Sequence, residues 1–259
     1  MRPGVVAALA SLVLAWAGPA LAANTASFSN TLVDAVVAAD NAKQPPPRIA
    51  DPAWAGRFAE AYDMAIIGQL DRGDLNSVLQ TCAGANLAAQ AYMEYGVGRL
   101  PAAADPKLTA AARANAQMAN VTRYQDEVTP ALRFMVPCLA VALRGAEDLA
   151  RTLPADYWTD TRKSGINQMR EGTVMVYVGV VQMAMGANEL RPANRDAILD
   201  VAVKDADVFA SAIHASDRLK VRTTVDAALH ATVPPDVRAK LTHIREAMSR
   251  TDCVGLCAL

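Results

Sequence analysis

Histidine is scarce in this 259-residue chain: His214, His230 and His243 are the only three, and all fall in the last third. No Glu-x-x-His pair, His-Glu-x-x-His stretch or Cys-x-x-Cys-His run occurs. The signatures of carboxylate-bridged di-iron, zinc-peptidase and covalent haem chemistry are therefore missing. Glycine-rich phosphate loops and Gly-x-Ser-x-Gly are absent as well, which leaves no recognisable nucleophile or nucleotide cradle. Aromatic residues make up 5% of the chain, and polar–apolar alternation of the kind that builds strands is lacking. The formal net charge is −1 with no basic run. That balance argues against nucleic acid and against a strongly anionic membrane as partner, since both require an electropositive surface.

What the sequence does have begins at its N-terminus. Met1-Arg2 is followed by an apolar run from Val5 to Ala17, then Gly18-Pro19-Ala20-Leu21-Ala22-Ala23. Positive, apolar and small-residue regions in that order predict a signal peptide over residues 1–22, cleaved near Ala22. The run is shorter than the roughly 20 residues a membrane-spanning helix needs, and no cysteine at the cut offers a lipid attachment point. The expected destination is a bacterial periplasm or the exterior, with no integral membrane segment left after cleavage. In an oxidising compartment, the four cysteines Cys82, Cys138, Cys253 and Cys257 read as two disulfides. Thr129-Pro130 looks like a helix start, and running helices up, down and up from Asp74, Pro106 and Pro130 puts Cys82 and Cys138 at one height. Cys253 and Cys257 then pair locally, or the tail instead staples back to the core; four cysteines allow three pairings, and the sequence alone does not choose between them.

Apolar spacing predicts an all-α fold. Residues 23–50 read as an N-terminal helix, carrying Phe28, Leu32 and Val36, and a Pro45-Pro46-Pro47 linker. Residues 51–259 read as a bundle of about seven to eight helices. Its expected segments run from Pro52 to Leu70, Asp74 to Gly96, Pro106 to Asp126, Pro130 to Arg151, Asp156 to Gly186, Pro192 to His214, Ser216 to His230 and Pro235 to Arg250. Gly165, Gly172, Gly179 and Gly186 recur every seven residues in a stretch that carries no charge from Thr173 to Met185. This pattern predicts a central helix whose glycine face admits a close neighbour. Two similar segments, Thr152–Asp156 and Thr232–Asp236, suggest a duplicated helix pair.

Asp226 lies four residues before His230, and Glu246 lies three after His243. With His214, these are the candidate metal ligands, because carboxylate–histidine pairs on one helix face can hold a transition metal. Met169, Met175, Met183 and Met185 read as core filling. Glu94, between Tyr92 and Tyr95, is a candidate buried acid. No cofactor is expected. The functional expectation is a non-catalytic exported helical protein that binds a protein or small molecule. The alternative is a metal- or redox-handling bundle using its C-terminal histidines and cysteines.

Overall fold

The computed structural model describes residues 20–97, 110–186, 190–231 and 233–259. The charged and apolar parts of the expected signal peptide lie outside the described residues. Among the described residues there are ten α-helices and no strand. They are α1 (Ala20–Ala42), α2 (Pro52–Ala61), α3 (Leu75–Glu94), α4 (Ala110–Arg123), α5 (Gln125–Thr152), α6 (Asp160–Gly186), α7 (Pro192–Lys204), α8 (Ala206–Ala212), α9 (Ala215–Leu229) and α10 (Pro235–Ala247). The all-α helical bundle expected from the spacing is what forms.

Several helix starts follow directly from local chemistry. Asp51 and Asp74 cap α2 and α3 by accepting from the amides of Ala53 and Ser77. Proline occupies the first turn of α2, α7 and α10, where a missing N–H costs nothing. The expected helix from Pro52 to Leu70 stops at Ala61, and a 3-10 turn covers Ile67–Gln69. The segment from Pro192 to His214 breaks at Asp205 into α7 and α8.

The central helix is α5 rather than α6. It begins at Gln125 and runs through Pro130 and Pro137, so Thr129-Pro130 does not start a helix. Each internal proline removes one backbone hydrogen bond. Packing on all sides nevertheless holds the helix, because nearly every residue from Glu127 to Ala146 is buried. By length and composition α5 alone among the described helices could cross a membrane, but 83% of its apolar window is buried inside the protein. Helix α6 buries one face, through Met169, Thr173, Val176, Tyr177, Val180 and Ala184. Two of its glycines, Gly165 and Gly179, are not points of close approach. A Cβ added at Gly165 or Gly179 would meet nothing within 4 Å; Gly165 is exposed and Gly172 half-buried. The surroundings of Gly186 lie outside the described side chains. The close approach occurs at Gly145 of α5, where a Cβ would stand 2.4 Å from the Arg72 carbonyl oxygen and 2.7 Å from Leu75.

Helices α3 and α5 pack antiparallel. The start of α3 meets the end of α5 at Leu75 and Gly145, and the end of α3 meets the start of α5 where the Tyr92 and Tyr124 rings lie 5.6 Å apart. Midway between, Cys82 and Cys138 form a disulfide with Cα atoms 5.6 Å apart. The expected pairing is correct, but the parallel up–down–up geometry used to reach it is not. Cys253 and Cys257 form the second disulfide. Helix α1 buries Leu32 and Val36 in the same core as α3 and α5, so residues 23–50 are not a separate packing unit. The Thr152–Asp156 and Thr232–Asp236 segments lead into different structures, a 3-10 turn at Ala155 and α10 directly at Pro235.

Candidate functional site

Helices α9 and α10 form an antiparallel hairpin, pinned at one end by Arg238 donating to the Leu229 carbonyl and midway by the Arg245–Asp226 ion pair. The other end is open. There the start of α9 and the residues just after α10 enclose a cleft of about 270 Å³. Ala215, Arg218, Leu219 and Arg222 recur at helical spacing, so one face of α9 forms a wall. Met248, Ser249, Arg250 and Thr251 form the opposite wall.

Three arginines therefore line one small space. Arg218 is 2% exposed; it donates to the Ala210 carbonyl at 2.9 Å and has no ion-pair partner among the described residues. Arg222 is half-buried, and its Nε is buried without any hydrogen-bond partner. Arg250 makes a two-pronged bond to Asp252, with distances of 3.0 and 2.7 Å. That bond raises the Arg250 pKa above its ordinary value and holds the Asp252 carboxyl below its own. Among the described residues Asp252 is the carboxylate paired with an arginine of the cleft, and Asp207 also bears on Arg250 electrostatically. Placing guanidinium groups out of water without anionic partners opposes folding, and such departures from local consistency concentrate at functional sites.

Behind the cleft lies a second buried cation. Arg170 of α6, 1% exposed, donates to the Leu256 carbonyl at 2.6 Å, to the Asn167 side chain and to Nε2 of His214. A guanidinium can only donate, so that ring nitrogen is placed as the acceptor. Burial pulls the Arg170 pKa below its ordinary value, against the opposite influence of Asp217 and Glu171. Leu256 is held from its other side as well, its amide donating to Glu147 of α5 at 2.7 Å. The loop closed by the C-terminal disulfide is thus fastened to α5 and α6, and this fixes the chain that carries Arg250.

No family model, curated protein or solved structure matches this chain.

The five candidate metal ligands are not brought together. His214 is the residue before α9 and faces Arg170, whereas His230 ends the same helix on an exposed turn. Asp226 is engaged by Arg245, and His243 and Glu246 are exposed on α10. Among the described residues, no group of three His, Cys, Asp or Glu side chains could hold a metal ion. Glu94 is half-buried; the buried acids among the described residues are Glu127, Asp205 and Asp217. Glu127 accepts from Arg48 Nε at 2.9 Å and from the Ile49 amide at 3.0 Å, and Tyr92 donates to the Pro47 carbonyl at 2.6 Å. These bonds clasp the proline-rich linker to α3 and α5 and serve the fold. The arginine cleft was missed for a definite reason: Asp226 follows Arg222 by four residues, the spacing of a helix ion pair, and only tertiary structure diverts Asp226 to Arg245.

Proposed function

We propose that this is an exported, non-catalytic binding protein whose ligand is an anion held between Arg218, Arg222 and Arg250. The observation that carries the reading is a cleft lined by three arginines, of which Arg250 alone is ion-paired among the described residues. Guanidinium forks match carboxylate and phosphate oxygens in geometry as well as charge. Ser249 and Thr251 also line the cleft; the Ser249 hydroxyl donates to the Arg245 carbonyl at 2.7 Å, which leaves Thr251 to supply a neutral donor. A binding role suits this chemistry better than catalysis, because the cleft gathers cations and hydroxyls and its one paired carboxylate, Asp252, is tied to Arg250. Export rests on the signal-like N-terminus and fits two disulfides, which persist in oxidising compartments.

Calorimetric titration of the mature, oxidised protein with inorganic phosphate at low ionic strength tests the site. Saturable binding is expected. Replacing Arg222 by Gln should weaken it about 10-fold or more, the effect of losing a hydrogen bond to a charged group. Unaltered isotherms for both Arg218→Gln and Arg222→Gln would refute the assignment. Sequencing the N-terminus of protein recovered from the cell envelope tests export, with Ala23 expected first.

A further inference from the structure

The cleft has an apolar wall as well as a charged one, and that wall bears on the ligand's class. Few large hydrophobic side chains are exposed anywhere among the described residues, and Leu219, 58% exposed, is one of the two most exposed. It lies in the cleft itself, between the two arginines of α9 and across from Met248. More than half of it stays open among the described residues, and a leucine at the mouth of a cleft lined by arginines is placed to meet whatever enters. We infer that the ligand is a small amphiphilic anion: a phosphate or carboxylate head bound by the arginines, joined to an apolar group that lies on Leu219. This rests on the anion-binding reading above and narrows it.

The size of the site favours a single small molecule. Ligand pockets commonly run from about 300 Å³ upward, so a cleft of about 270 Å³ suits a head group and a few carbons rather than a long chain. A membrane surface would demand a broad basic face. Here the arginines line a concavity, and exposed Lys220 on the neighbouring part of α9 is already paired with Asp217 at 2.7 Å.

Three probes separate the outcomes: inorganic phosphate, hexyl phosphate below its micellar concentration, and phosphatidylcholine vesicles containing phosphatidylglycerol. Burying two methylene groups is worth about 10-fold or more in affinity, so hexyl phosphate should bind at least that much more tightly than phosphate. Leu219→Asn should abolish this advantage and leave phosphate affinity unchanged, whereas Leu87→Asn, at another exposed leucine, should preserve it. No vesicle binding is expected. Equal affinities for the two phosphates would overturn the inference while leaving anion binding intact, and failure of both to bind would remove the underlying reading. Binding to vesicles without binding to hexyl phosphate would replace the small ligand by a membrane surface. Leu219 is exposed, so its variant should keep the wild-type circular dichroism spectrum.

Discussion

Glu127 and Asp205 are both buried acids, yet they do different work. Glu127 joins Arg48 and the Ile49 amide to α5, and its second oxygen is buried without a partner. Glu127→Ala leaves the Ile49 amide unpaired and should destabilise the protein by about 2–4 kcal/mol. Urea unfolding measures the loss, and amide exchange should accelerate at Ile49 first. Asp205, at the α7–α8 break, bonds Arg144 at 2.9 Å. Burial raises its pKa above the ordinary 3.8, and Arg144 only partly offsets this. The folded state therefore holds the proton to higher pH than the unfolded state does. Asp205's contribution to stability is fully present below its ordinary value and is lost as pH rises through the raised one. Asp205→Asn should remove that decline: unfolding curves of the two proteins, compared across acid pH, should converge at low pH and separate in the variant's favour as pH rises. A constant difference between them would contradict the sign.

Among the helices, glycine marks where sequence reading and structure part. A seven-residue glycine repeat is visible in the sequence, but a repeat records periodicity and not which face meets a neighbour. At Gly165 and Gly179 that face has open space, whereas the isolated Gly145 touches a backbone carbonyl. Gly165→Ala and Gly179→Ala should each stabilise the protein by about 0.5–1 kcal/mol, as alanine does in an open helix interior. Gly145→Ala should destabilise it by about 1–3 kcal/mol, because backbone must shift to admit the methyl. Thermal unfolding of the three variants gives the opposite signs directly. Helix type, and starts such as Asp51, Asp74, Pro192 and Pro235, were legible because capping and N1 proline are local effects. Pro130 misled for the same reason. Its local preference for a helix start is overridden by burial of Thr129, Ala131 and Leu132 on both sides of it.

Across the whole molecule, the two disulfides lie at opposite extremes of loop length. Cys82–Cys138 closes a separation of 56 residues and Cys253–Cys257 one of 4. On the loop-entropy model, the first stabilises by about 4 kcal/mol and the second by about 2. Paired Cys→Ala variants compared by denaturant unfolding should follow that order. The local pair should instead show its main effect on the cleft, since it shapes the chain beyond Arg250. The cysteine pairing was reached through a parallel helix arrangement that the antiparallel α3 and α5 do not have, whereas the all-α class was readable from residue types and spacing. The arginine cleft was not, because it joins α9 to a tail whose position depends on bonds to Arg170 and Glu147, 86 and 109 residues away from Leu256.

That remote fastening sets a clock on biogenesis. Arg170 leaves the ribosome long before the carbonyl that satisfies it, and at ordinary elongation rates an interval of 86 residues lasts on the order of 5–15 s. Until residue 256 is in place the guanidinium lacks that acceptor and gains by staying in water, which disfavours the docked position of α6.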